Sequence, residues 1–286
     1  MKKTVTPDQK SVDIGNSEIP YLCYDSDGPP LIFLHATGFL PWLWHPLARE
    51  LADSFKIISP YFCDHREVDP EQGGVSWLEL AQDLTRFCKT LNINNPYMIG
   101  HSMGGAVMAI AGGYWGLNIH KMILIEPILL PQEFYTFRIQ VEDHPLASKS
   151  INRRNSWKDP AEAKAYLKSK SLFRHWDDEM LNIYVQHGMV QSESGELELA
   201  CHPRKEAALF MGSTGYDPWP ILSKVTCPVL VLEGEKTENK GIIDFKKAAE
   251  AFPAGKYEIV KSAGHLIPME KPGETLAIIR SFFNFE

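Results

Sequence analysis

The chain has 286 residues, of which 44% are hydrophobic, 23% charged and 11% aromatic, and that composition excludes a disordered or fibrous chain. A net charge of −7 with no Lys/Arg run argues against a nucleic-acid partner, whose phosphates call for a basic face. The length suits one large α/β domain, or one domain with a sizeable insertion.

The opening residues carry lysines with no apolar stretch behind them, so no secretory signal is expected. No apolar run is long enough to span a bilayer. The cysteines (Cys23, Cys63, Cys88, Cys201 and Cys227) are odd in number and scattered, without a CxxC pair. They read as reduced thiols, which with the missing signal predicts a cytoplasmic protein.

Along the chain, residues 11–15 and 19–24 predict an antiparallel hairpin at a sheet edge. Short β-rich runs follow at 31–34, 56–60, 97–99, 122–125, 229–232 and 257–260. Most are continuously apolar rather than alternating, as strands covered on both faces are. Between them, residues 77–91 place Leu78, Leu80, Ala81, Leu84, Phe87 and Leu91 at helical spacing, and 245–252 and 275–283 repeat the pattern. Such alternation predicts an α/β fold: a mostly parallel sheet with right-handed crossovers and helices on both faces.

Residues 130–221 break the rhythm. They show no buried-strand pattern and read as short helices, one opened by Asp159-Pro160 and another running from Asp177 to a stop near Gly188. A segment of this length is not a loop. The expectation is an α/β core of residues 1–129 and 222–286 with a helical cap, 130–221, inserted over the strand ends.

The strongest local signal is Gly100-His101-Ser102-Met103-Gly104-Gly105, after the strand at 97–99 and before the small-residue helix 106–113. A bare G-x-S-x-G also fits any Gly-rich turn, but strand–turn–helix context is what a nucleophile elbow requires. The turn lifts the Ser102 hydroxyl clear of the sheet, and the helix start aims backbone N–H groups at a developing oxyanion.

With these residues the chain resembles the α/β-hydrolases that carry a cap. The resemblance implies an oxyanion loop after the third strand, here His35-Ala36-Thr37-Gly38-Phe39, with Ala36 where Gly is usual. It implies backbone N–H groups of Thr37 and Met103 as the oxyanion hole. It also implies a catalytic His after the last strand, and His265 in Ser262-Ala263-Gly264-His265 has that place. The acid departs from the pattern. Thr237 stands where many relatives carry Asp after the strand 229–232, while Glu126 ends the strand 122–125, a position some capped dehalogenases use. A carboxylate closing a buried strand is costly unless paired, so Glu126 is favoured, with Glu235 and Glu238 as competitors.

Phe39, Trp42 and Trp44 are expected to line an apolar pocket with cap residues, although such aromatics also serve simply as core. Cys63-Asp64-His65-Arg66 offers too few ligands for a metal, and no metal or cofactor is expected. The function expected is cleavage of an ester or related acyl bond of a small molecule by Ser102, His265 and Glu126. Carbon–carbon bond hydrolysis, perhydrolysis and a non-catalytic receptor role on the same fold are the alternatives. Oligomeric state and natural substrate leave no mark in the sequence.

Overall fold

The computed structural model describes residues 5–62 and 65–285. Ten strands are present among them: β1 (Asp8–Asp13), β2 (Glu18–Tyr24), β3 (Pro30–Leu34), β4 (Lys56–Pro60), β5 (Tyr97–His101), β6 (Lys121–Ile125), β7 (Met189–Gln191), β8 (Leu197–Leu199), β9 (Val229–Gly234) and β10 (Gly255–Val260). Eight form one sheet in the order β1-β2-β4-β3-β5-β6-β9-β10. β2 runs against β1 and β4, and the other pairings of the sheet are parallel. The central strands are the continuously apolar ones; β9 is buried along its whole length, while the edge strand β10 is mostly exposed.

Two apolar layers sandwich the sheet. On one face Leu80, Leu84 and Phe87 of the helix Trp77–Thr90 pack with the helices Met103–Gly113 and Phe245–Glu250. On the other, the helices His45–Leu51 and Pro272–Phe283 supply Leu47, Leu51, Ile279 and Phe283. Because β3, β5, β6 and β9 are parallel, their carboxyl ends share one edge, where an open α/β sheet gathers its functional loops.

The long segment between β6 and β9 folds into short helices, as its capping residues predict. Asp159 accepts a hydrogen bond from the Glu162 N–H at 2.9 Å and opens the helix Pro160–Lys168. Asp177 accepts from the N–H groups of Glu179 and Met180 and opens Asp178–His187, which ends at Gly188. The segment also holds what its sequence does not announce, the antiparallel hairpin of β7 and β8. Each strand has three residues and is largely exposed or half-buried, so no apolar run betrays it. The aromatic side chains Trp157, Phe173, Trp176 and Tyr184 join the same buried layer as Phe33 and Leu47. Trp77 reaches the segment too, donating its indole N–H to the Leu209 carbonyl at 2.9 Å.

Candidate active site

The turn after β5 shows why it is built of glycines. Ser102 sits at φ 54°, ψ −115°, a conformation side chains seldom adopt, immediately before the helix Met103–Gly113. A Cβ on Gly104 would lie 2.3 Å from the Leu34 carbonyl oxygen, and one on Gly100 would lie 2.6 Å from the Gly104 backbone. Only bare Cα atoms let β5, the helix start and the end of β3 approach so closely. Ser102 is held by its own N–H on the Ile125 carbonyl at 2.9 Å, so β6 braces the elbow.

His265, on the loop after β10, comes to Ser102 from the far side of the sheet edge. Its Nε2 lies 3.1 Å from the Ser102 Oγ, and its Nδ1 lies 3.1 Å from Glu126 Oε2. Glu126 is fully buried, has φ +48° and donates its backbone N–H to the Leu232 carbonyl. Its Oε1 accepts from the Gly234 N–H at 2.6 Å, and its Oε2 from the Thr237 hydroxyl at 2.8 Å. Thr237, the residue expected to be Asp by resemblance, thus donates to Glu126. Glu235 lies elsewhere, accepting from the Ser262 N–H at 2.9 Å and from Lys261 at 3.0 Å. Glu238 is exposed on the turn after β9.

His101, beside Ser102, is a brace that the sequence does not announce. It is fully buried, and burial foremost, with His265 nearby, pushes it down to about 3, so its ring is neutral. Its Nε2–H donates to the His265 carbonyl at 2.9 Å, tying the end of β5 to the histidine loop. The loop after β3 is fixed in a similar way. His35 Nε2 accepts from the Phe62 N–H at 2.9 Å, which leaves Nδ1–H to donate to the Ala36 carbonyl at 2.8 Å. Thr37 is next along this loop. Met103 is the first residue of its helix, so its N–H has no acceptor within that helix.

Of the three aromatics after the loop, Phe39 meets Trp176 and Tyr184 with centroids 5.5 and 5.7 Å apart, and Trp42 stacks on His187 at 3.8 Å. Trp44 instead is core. It is 3% exposed and stacked on Phe33 at 4.7 Å, which leaves little of the ring for a substrate. Over the same loop sits a partly buried ion pair absent from the sequence expectations. Arg153 Nη1 donates to Glu206 Oε2 at 2.8 Å, and a Cβ on Gly38 would meet Glu206 Oε1 at 2.0 Å. An opening of about 260 Å³ beside His265 is lined by Leu172, His175, Lys236 and Glu238 among others.

Cys63 and Asp64 lie outside the described residues. His65 Nε2 and the Arg66 guanidinium both engage the buried Asp83, at 3.0 Å and 2.5–2.7 Å. Among the described residues no group of three or more His, Cys, Asp or Glu is placed to hold a metal ion, and no helix is long and apolar enough to cross a membrane. The four described cysteines are free.

An eight-stranded, mostly parallel sheet with a serine on a strained strand–helix turn defines the hydrolase class of α/β fold. The chain belongs to the alpha/beta hydrolase family, whose model matches residues 31–278. It is 22% identical over 278 residues to 2-(acetamidomethylene)succinate hydrolase of Mesorhizobium japonicum, covering 96% of this chain and 95% of that protein. A crystal structure of E-2-(acetamidomethylene)succinate hydrolase superposes with a TM-score of 0.80 at 21% identity, over 97% of this chain and 99% of the other. A malate-bound thermophilic esterase from Thermogutta terrifontis superposes with a TM-score of 0.69 at 20% identity, over 97% and 98%.

Proposed function

We propose that the chain is a serine hydrolase that cleaves an ester or related acyl bond of a small, partly apolar substrate. The observation carrying this reading is the unbroken relay Glu126 Oε2–His265 Nδ1 and His265 Nε2–Ser102 Oγ, each link 3.1 Å. In this reading Glu126 accepts the Nδ1 proton and so leaves Nε2 bare to take the Ser102 proton as Oγ attacks the acyl carbon. The oxyanion is met by the N–H groups of Thr37 and Met103; a single such donor is worth about 3–4 kcal/mol in other hydrolases. Collapse expels the leaving group, which takes the proton from the imidazolium and leaves an acyl group on Ser102. Water then attacks in the same way, giving its proton to His265, which returns it to Ser102 Oγ as the acyl–oxygen bond breaks and the acid leaves.

Residues 130–221 act here as a cap, with Phe39 and Trp42 on the core side of the pocket. Phe39 already lies against Trp176 and Tyr184, which supports an apolar lining. The names of the hydrolase and the esterase above describe small molecules, and 2-(acetamidomethylene)succinate carries an acylated nitrogen, so amides belong beside esters as test substrates.

The test is a series of p-nitrophenyl esters from acetate to palmitate with the matching acyl anilides, on the wild type and Ser102→Ala. Ester turnover should rise from acetate to medium chains, since each buried methylene adds about 0.8 kcal/mol, and should vanish in Ser102→Ala. Turnover that persists in Ser102→Ala overturns the nucleophile. A flat chain-length profile overturns the pocket.

A further inference from the structure

The proposed relay uses no residue of the segment between β6 and β9, yet that segment sets a charged pair over the loop after β3. Arg153 follows the helix Ala147–Ile151, and Glu206 lies on the helix Pro203–Met211. Arg153 Nη1 donates to Glu206 Oε2 at 2.8 Å. The other oxygen, Oε1, rests against the bare Cα of Gly38, where a Cβ would come within 2.0 Å of it. Tyr184 faces the same guanidinium, and its ring meets Phe39 with centroids 5.7 Å apart. Gly38 and Phe39 directly follow Thr37, whose N–H is a proposed oxyanion donor. The guanidinium is thus anchored over two consecutive residues of the loop that walls the proposed pocket.

The two members of the pair differ in access. The Arg153 side chain is 25% exposed and that of Glu206 only 9%, so the carboxylate is packed away while the cation keeps open surface. Burial opposes the Arg153 charge, but Tyr184 and Glu206 outweigh it and the group stays protonated. A guanidinium carries five N–H donors in a planar fork, more than Glu206 and Tyr184 take up. Stability alone does not call for such a pair, since apolar residues of similar volume often serve as well. Spare donors on an open, fixed guanidinium suit a carboxylate, whose two oxygens match the fork. A dianion such as a phosphate monoester would meet the Glu206 charge beside it, so a singly charged group is favoured.

We infer that Arg153 is a specificity residue that binds a carboxylate on the acyl part of the substrate, and that the preferred substrates are esters or amides of short dicarboxylic acids, cleaved at one end. The inference rests on the proposed serine hydrolase reading and names its substrate class. The methylenes between the two ends lie along Phe39, and the free carboxylate reaches the guanidinium that Glu206 orients. An apolar wall with one fixed charge at its end is the usual build of a selective small-molecule site.

Hydrolysis of the monoethyl esters of succinic, glutaric and adipic acids, followed by pH-stat, tests this against the matching methyl-ketone esters, in which a methyl group replaces one carboxylate oxygen. The readout is the ratio of kcat/KM, acid over ketone, within one protein, so a general loss of activity cancels. The wild type should favour the acid at least about tenfold at one chain length, as a hydrogen bond to a charged group allows. Arg153→Met should bring the ratio to one or below, and Arg153→Lys, which keeps the charge without the fork, should fall between. A merely structural pair would lower both rates together and leave the ratio as it was. A wild-type ratio of one or less at every length, or no turnover of the acid esters, overturns the assignment. So does a preference that survives in Arg153→Met. If that variant does not fold, Arg153→Met with Glu206→Met, which leaves no unpaired charge, decides by the same ratio. Failure of the nucleophile shows separately, as turnover of the ketone esters that persists in Ser102→Ala.

Discussion

At the scale of single residues, the elbow concentrates strain where chemistry is proposed. Ser102 and Glu126 both hold positive φ, at 54° and 48°, and both are braced by neighbouring strands through backbone hydrogen bonds. Strained backbone persists only where its surroundings over-determine it, and it gathers at functional sites. Gly104→Ala drives a Cβ into the Leu34 carbonyl, so urea unfolding should show a loss of about 2 kcal/mol or more, with activity lost at the same time. Replacing Thr237 by Val removes the 2.8 Å donor from Glu126 and leaves its shape. We expect kcat to fall about three- to tenfold with KM little changed, less than the about 1.5–3 kcal/mol of a hydrogen bond to a charged group would give, because Gly234 and Asn239 still hold the carboxylate. Unchanged kcat in steady-state assays would remove Thr237 from the machinery.

At the scale of elements, one ion pair ties the segment between β6 and β9 to the core, another ties the segment to itself, and the two differ widely in worth. Arg49 and Glu179 form a charged pair that is largely exposed, and its loss should cost under about 1 kcal/mol. Arg153 and Glu206 are buried more deeply, over Gly38. Glu206→Ala leaves the guanidinium with no partner carboxylate and should cost about 2–4 kcal/mol in thermal or urea unfolding, while Arg153→Ala with Glu206→Ala costs less than the sum. The elements themselves were largely legible in the sequence, because strands such as 229–232 are continuously apolar and helices such as Pro160–Lys168 carry their caps beside them. The hairpin of β7 and β8 was not, since three-residue exposed strands leave no periodic trace. Ser102, His265 and Glu126 each stood out from local context, Glu126 by the vacancy at Thr237. Asn239 and Glu206 did not, for their partners are long-range. Asn239 meets Glu126 across 113 positions and Glu206 meets Arg153 across 53. Trp44 misled because an aromatic after an active-site loop looks alike whether it faces a pocket or, as here, Phe33.

At the scale of the whole molecule, buried and half-buried histidines set the response to acid. Burial pushes His101 down to about 3, and it also lowers His45, His144 and His187. A histidine whose folded value lies below its unfolded value near 6.5 binds its proton more readily in the unfolded chain. Its stabilising share is therefore complete above about pH 6.5 and lost as pH falls toward the folded value. For Asp83, burial pushes upward but the Arg66 guanidinium and His65 outweigh it, so its value is lowered and its share is lost on further acidification. Both effects have the same sign. Unfolding free energy should drop by up to about 1.4 kcal/mol per pH unit between pH 6.5 and pH 4 from His101, with losses of the same sign from the others, and His101→Asn should flatten that slope. Urea titrations at several pH values check this, and a stability that is level down to pH 4 would contradict it.

In the proposed mechanism Glu126, acting through His265, activates Ser102. Labelling by a fluorophosphonate, followed by mass spectrometry, reads that activation directly, because the reagent captures the serine only when its proton is taken. The wild type should carry one adduct, on Ser102. Its labelling rate should fall by orders of magnitude in Glu126→Gln and stay within about twofold in Glu235→Gln and Glu238→Gln. An adduct on another residue, or a rate that depends on Glu235 or Glu238 and not on Glu126, would contradict the account.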